Sequence, residues 1–332
     1  MSVRIQDVAR AANVSVATVS RVLNGRYGVS AETVERVHKI IDDLGYTSTL
    51  AAKSMRGRTN VVGVITFNLS LPFNTEVLRG IDEVVQQHGY DLLVYTSNRS
   101  ANSGDPKWGR KTVMQLNGSI VDGMIVITPQ TNNLPTDHPL VAIEPCDEGS
   151  FPSVLSTNRA GTYEAVQYLI QLGHRRIAFL GGLETLVSAS QRRQGYEDAL
   201  TEVGLPILPE LFAEGNYLRQ GALIAARKLL TLPERPTAIM AANDQSAFAV
   251  LEIAAEMGIR VPEDLSVIGF DNVPDGAYTK PPLTTVAQSL VGMGSLAAEL
   301  LMKMLEGQTV ENRVYELPTR LLVRESCRAL NA

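Results

Sequence analysis

The sequence predicts an α+β chain: a small three-helix head built on a helix-turn-helix, followed by a long, doubly wound α/β body. Three observations carry that reading. Residues 5–24 show helical-period apolar spacing broken by one tight turn. From Val61 onward, β-branched apolar runs alternate with helical segments, the pattern of parallel strands covered by helices. The charge is also split. The 332-residue chain has a net charge of −5, yet residues 1–60 hold nine Lys/Arg against five Asp/Glu, and the rest holds 21 against 30. A basic head on an acidic body confines any attraction for phosphate to one end.

In the head, Ile5, Val8, Ala9 and Ala12 fall on one helical face. Asn13 suits the left-handed conformation that ends such a helix, and Ser15 offers an oxygen to cap the next. Val19, Val22 and Leu23 bury the second helix. Its other face shows Val16, Ala17, Thr18, Ser20 and Arg21, which are small or polar groups with one guanidinium. Such a face fits a DNA major groove, roughly 12 Å wide. Ser30 and Glu32 open a third helix. Val34, Val37, Ile41 and Leu44 continue its buried face, and Gly45 stops it. Residues 47–60 follow as a connector, in which residues 50–55 are expected to form a helix too short to stand alone.

In the body, strands are predicted at 61–67, 91–95, 123–127, 139–143, 153–157, 176–180, 238–241, 266–270 and 320–323. Helices are predicted at 74–88, 161–172, 191–203, 220–230 and 245–257, with another ending near Gly118 after a polar loop at 97–105. This length of alternating elements is enough to split into two lobes.

Several function classes are disfavoured. No apolar run approaches the roughly 18 residues of a membrane span. Charged and polar residues interrupt the N-terminus from Arg4 onward, unlike a signal peptide, so a cytoplasmic location is expected. Cys146 and Cys327 are the only cysteines, too few for a disulfide framework or a zinc site. Gly181 and Gly182 end a strand but lack the G-x-G-x-x-G spacing of a dinucleotide site. His174, in a turn after Gly173, reads as structural. No metal, cofactor or catalytic residue is expected, because nucleophile motifs and phosphate loops are missing.

The stretch VARAANVSVATVSRVLN at 8–24 closely resembles the signature of the LacI/GalR transcription regulators. Gly45-Tyr46 and the stretches 172–175, 192–196, 242–245, 269–272 and 282–288 match in family order over nearly the whole chain. The resemblance implies a DNA-binding head (1–46), a hinge helix and linker (47–60), and a core like periplasmic sugar-binding proteins. One lobe of that core would comprise 61–157 plus 289–317, and the other 158–288 plus 318–328. The chain would cross between them near 157–158, near 288 and near 317–318.

By resemblance, residues 16–24 enter the major groove. Val16 and Ala17 can only pack there, for example against a thymine methyl, which leaves Arg21 to read guanine. Thr18, Ser20 and Asn24 are expected to hold phosphates. The family's minor-groove leucine wedge matches Met55, and apolar wedges of this kind kink the duplex. Thr47, Ser48 and Thr49 depart from the usual Pro-Asn, so the hinge is expected to fold less readily.

The matched ligand positions are Phe73, Asn74, Glu144, Arg192, Tyr217, Asn243, Asp271 and Gln288. Charged and amide groups that bracket hydroxyls, beside flat aromatic faces, fit a carbohydrate. Asn74 stands where many relatives carry a second aromatic, which favours a sugar over a purine. Thr157-Asn158 departs from the common Asp-Asn. The expected protein is a homodimeric repressor, released from a pseudo-palindromic double-stranded operator by a mono- or disaccharide. No heptad tail follows to build a tetramer. The alternatives are a corepressor-dependent relative binding a purine or other metabolite, and a transport-type sugar-binding protein.

Overall fold

The computed structural model describes residues 3–23, 28–45, 58–96, 106–135, 137–147, 151–311 and 313–330. The chain divides into two compact units, Met1–Thr59 and Asn60–Ala332. In the first, α1 (Ile5–Ala11) gives way to α2 (Val16–Leu23) through Asn13, whose φ of 52° is left-handed. The Thr18 amide donates to Ser15 Oγ at 3.0 Å, capping α2. Ser30 caps α3 (Ala31–Leu44), and Gly45 ends it with φ 61°. Val8, Ala9, Ala12, Val19, Val22 and Val37 form the buried centre. At about 1.5–3 kcal/mol per buried valine, this small core depends on every one of them. Leu44, expected on the buried face, is 38% exposed. It is the last residue of α3, and the core reaches along this helix only to Ile40 and Ile41.

The second unit holds two six-stranded sheets. The first sheet contains β1 (Val61–Thr66), β2 (Asp91–Thr96), β3 (Gly123–Ile127), β4 (Leu140–Ile143), β5 (Ser153–Ser156) and β11 (Val314–Leu317), in the order β11-β5-β4-β3-β1-β2. All its pairings are parallel. The second contains β6 (Ile177–Gly181), β7 (Phe212–Glu214), β8 (Ala238–Ala241), β9 (Ser266–Asp271), β10 (Thr284–Ala287) and β12 (Arg320–Leu322), in the order β12-β10-β9-β8-β6-β7. Only β12 runs antiparallel, against β10. β1, β3, β4, β6, β8 and β9 are buried along their whole length, as parallel strands between helical layers must be.

Four helices matter most for the site. α4 (Pro72–Gln87) packs on the first sheet beside α10 (Leu290–Leu305). α6 (Asn158–Gln171) and α7 (Val187–Glu202) pack on the second. Three connections pass between the sheets: β5 to α6, β10 to α10, and β11 to β12. Thr157 and Thr319 tie the first and third of these. The Thr319 amide donates to Thr157 Oγ1 at 2.9 Å, and Thr319 Oγ1 donates to the Thr157 carbonyl at 3.2 Å. No helix among the described residues is long and apolar enough to cross a membrane.

Candidate functional site

A cavity of about 540 Å³ opens at the carboxyl ends of strands from both sheets, where doubly wound folds bind ligands. The backbone marks the place. Of the eight described non-glycine residues with positive φ, five line this cavity: Thr128, Glu144, Asn216, Tyr217 and Asp271. Thr128, Glu144 and Asp271 come just after or at the ends of β3, β4 and β9. Such conformations cost about 1–3 kcal/mol each and persist only where the surroundings over-determine them. Here they turn side chains off the strand ends into the cavity.

Seven of the eight sequence-predicted ligand positions line it: Phe73, Asn74, Glu144, Arg192, Tyr217, Asn243 and Asp271. Gln288 does not. It donates Nε2 to Asp271 Oδ1 at 2.6 Å, because it comes directly after β10, the neighbour of β9. Gln288 is thus placed to orient Asp271.

Arg192 organises the floor. Its guanidinium lies over the Phe270 ring at 3.7 Å from the centroid, a cation–π stack that holds it flat. Its Nε donates to Asn158 Oδ1 at 2.8 Å, and Nη1 donates to the Ala242 carbonyl at 2.5 Å. Nη1 also lies 3.7 Å from Asp271 Oδ1. Asn158 carries the network onward, with Nδ2 donating to Glu144 at 3.2 and 3.3 Å. The Ser156 amide adds a third contact to Glu144, at 3.1 Å. A continuous polar chain, Glu144–Asn158–Arg192–Asp271–Gln288, therefore runs from the first sheet into the second.

Its charges are unbalanced. Burial pushes the Glu144 carboxyl up, against the pull of Arg192. Burial also raises Asp271, and the neighbouring buried Asp244 raises it further, against Arg192. Asp244 is itself raised by burial, although Thr285 Oγ1 and the Val273 amide donate to it at 2.6 and 2.8 Å. Three buried carboxyls share two guanidiniums, Arg192 beside Glu144 and Asp271 and the half-buried Arg324 beside Asp244, so the site favours at least one carboxyl in its protonated form.

The remaining wall is built by packing. The Tyr217 ring lies where a side chain on Gly182 would stand, since a Cβ there would be 2.1 Å from Tyr217 Cζ. Asn243 caps α9 (Asp244–Glu256) through the Ser246 amide and donates Nδ2 to the Tyr217 carbonyl at 3.2 Å. Asn74 donates Nδ2 to the Asn68 carbonyl at 2.5 Å, while its buried Oδ1 has no partner. Ser188 is a lining residue that sequence reasoning missed. It precedes Arg192 by one helical turn, and α7 begins four residues before its predicted start. Asn158 was noticed only as half of an unusual pair. Neither Asn158 nor its partner Thr157 lines the cavity; Asn158 stands behind it, between Glu144 and Arg192.

In the first unit, α2 presents Val16, Ala17 and Arg21 to solvent, with Val16 42% exposed, and Thr18 and Ser20 partly so. Thr18 Oγ1 and Ser15 Oγ are 2.8 Å apart. Asn24, Met55 and the expected hinge helix lie outside the described residues. His174 is fully packed, with Nδ1 2.9 Å from Thr237 Oγ1 and Nε2 3.0 Å from Ser266 Oγ. Burial lowers its pKa, as suits a neutral structural imidazole.

A helix-turn-helix unit joined to a two-sheet body, with an open cleft floored by buried charged and amide groups, defines a ligand-responsive, DNA-binding transcription regulator. Comparison with known proteins gives the family. Residues 4–48 match the "Bacterial regulatory proteins, lacI family" model, and residues 166–327 match the "Periplasmic binding protein-like domain". Catabolite control protein A of Priestia megaterium is 35% identical over 98% of this chain and 99% of its own length. A crystal structure of the lac repressor dimer bound to operator and an anti-inducer superposes with a TM-score of 0.83 at 29% identity, covering 99% of this chain and 100% of that one. A complex of the transcriptional regulator CelR with cellobiose gives 0.71 at 30% identity, covering 98% and 99%. The chain belongs to the lacI family of bacterial regulatory proteins.

Proposed function

We propose that this protein is a cytoplasmic homodimeric repressor that leaves a pseudo-palindromic operator when a sugar enters the cleft. The observation that carries the sugar reading is the floor itself. Arg192, Asp271, Asn243 and Asn74 bring charged and amide groups to one place, and Asn74 Oδ1 is buried with no partner. A ligand rich in hydroxyls supplies the missing donor and accepts from Arg192 and Asn243, with Phe73 and Tyr217 as flat faces against its ring. The cellobiose in the CelR complex supports the same class of ligand.

The division of labour follows from the two units. Residues 1–46 read DNA through α2, with Arg21 on guanine, Val16 and Ala17 packing, and Thr18, Ser20 and Asn24 on phosphates. Residues 47–60 link the head to the body, with Met55 as the minor-groove wedge. The cleft lies between lobes formed by 61–157 plus 289–317 and 158–288 plus 318–328. A sugar that binds one lobe arrangement better than another shifts the equilibrium by that difference in affinity. The role is regulation rather than catalysis.

The test is a calorimetric screen of mono- and disaccharides against the full chain. Saturable binding of at least one sugar is expected, lost in Arg192→Met. Binding of a purine base and of no sugar would replace the sugar reading with corepression by a purine.

A further inference from the structure

Asp244 is fully buried and stands outside the cavity lining. Its Oδ1 accepts from Thr285 Oγ1 at 2.6 Å, and its Oδ2 from the Val273 amide at 2.8 Å. The Asn272 amide donates to it as well. β9 makes room for it by carrying glycine at 269, where a Cβ would lie 2.2 Å from Asp244 Oδ1. A buried carboxyl is costly unless such donors surround it. Two of these donors are consecutive amides of one turn, 271–273. That turn is tight, because Asp271 and Asn272 have φ of 115° and 59°, conformations that persist only where the surroundings hold them. Arg324 braces it from the other side, with Nη2 donating to Asn272 Oδ1 and Nη1 to the Leu283 carbonyl, both at 2.7 Å.

The two ends of the turn serve different places. Asp271, at its start, lines the cavity. Val273, at its end, is buried in the apolar cluster of the first sheet, together with Leu290 and Met293 of α10. Among the described residues, it is the one buried member of that cluster that follows a strand of the second sheet. α9 repeats the arrangement. Its N-cap, Asn243, lines the cavity, and Phe248, one turn after Asp244, packs against apolar clusters of both sheets. Thr285, the third donor, lies on β10, the strand that leads into α10. We infer that Asp244 is a positioning residue for the effector response: it fixes the 271–273 turn, so that a ligand bound at Asp271 acts through Val273 on the packing between the two sheets. This inference rests on the reading of the cleft as the effector site. Coupling requires an element that both sites bias. A short turn pinned at one carboxyl meets that need, because a close-packed core cannot absorb its shift gradually.

Hydrogen exchange read by mass spectrometry on the full chain tests this without any ligand. Asp244→Asn keeps the size of the side chain but replaces an acceptor oxygen with a donor. Exchange in this variant is expected to rise at least about fivefold in peptides covering 271–276, and also in those covering 290–296, beyond the turn that Asp244 holds. A rise confined to 271–276, or no rise, overturns the inference, since a merely local brace would act no farther. A second arm reads the response itself, as affinity for an operator selected from random duplex DNA. The tightest binder among D-glucose, D-galactose, D-xylose, D-ribose, cellobiose and lactose is expected to change that affinity at least about tenfold in the wild-type chain. The change is expected to fall below about threefold in Asp244→Asn and in Val273→Ala, with the sugar still saturating both. Val273→Ala leaves Asp244 and its bonds in place, so it decides the matter if Asp244→Asn does not fold. A full response in the variants overturns the inference while the sugar reading stands. If none of these sugars binds the wild-type chain but hypoxanthine or guanine does, the sugar reading falls, and the same ratio read with that base still decides the role of Asp244.

Discussion

Arg192 shows how one side chain can hold a site together. It stacks on Phe270, bonds Asn158 and the Ala242 carbonyl, and lies beside Asp271. All of its partners are buried, so its charge is strongly felt by the carboxyls around it. Asp271 is nonetheless held above its ordinary range, because burial and Asp244 outweigh the guanidinium. A carboxyl raised on folding binds more protons in the folded chain than in the unfolded one. The stability it contributes is full below its unfolded value, about 3.9, and is lost as the pH rises through the folded value. Urea denaturation is expected to show stability falling from mildly acid to neutral pH, and Asp271→Asn to flatten that slope. An unchanged slope in the variant would place the titration elsewhere. In the head, Arg21 is the one guanidinium on the exposed face of α2. Arg21→Ala is expected to weaken operator binding at least about tenfold, the worth of one bidentate base contact, with effector affinity intact. Fluorescence anisotropy and calorimetry on the same sample separate the two readouts, and equal loss of both would mean the head is misassigned.

At the scale of elements, legibility followed regularity. Strands buried on both sides, such as β1 and β3, read as short runs rich in valine and isoleucine, and the caps Asn13, Ser15 and Ser30 announced the head. What stayed hidden has physical reasons. β7 is three residues long, too short for periodicity to register. α10 is apolar over most of its circumference, with eight of its sixteen residues buried, so it shows no amphipathic stripe. α7 starts at Val187 without a side-chain cap, which left Ser188 outside its predicted helix and outside the predicted site. The predicted end of β9 stopped at Phe270, one residue short of Asp271, and nothing local announces that Asp271 adopts φ 115°. Close packing is equally invisible. α4 and α10 cross at Gly80 and Gly294, where an added Cβ would lie 2.0 Å from the carbonyl oxygens of Val291 and Val77. Backbone cannot yield as a side-chain tip can. Gly294→Ala is therefore expected to cost at least about 1–3 kcal/mol, a fall in melting temperature of roughly 2–4 °C per kcal/mol for a unit of this size. Calorimetry that finds no loss would show that the two helices are free to separate.

At the scale of the whole molecule, the sequence already separated the two tasks. Its basic residues gather in the first sixty positions, and its acidic excess lies in the body. The structure adds what links the two sheets of the body. One polar chain passes from Glu144 to Gln288, and Thr157 with Thr319 ties two of the three connections between sheets. In the proposed mechanism, a ligand seated on that chain favours one arrangement of the lobes, and the head reports it as a change in DNA affinity. Linkage requires the reverse as well: operator must weaken the ligand by the same factor. The most direct test takes an operator selected by the full chain from random duplex DNA and measures its affinity at fixed salt, with and without a saturating sugar found in the calorimetric screen. The account predicts that the sugar weakens operator binding at least about tenfold, a coupling of about 1.4 kcal/mol. A sugar that saturates the cleft and leaves operator affinity unchanged or tighter would contradict it.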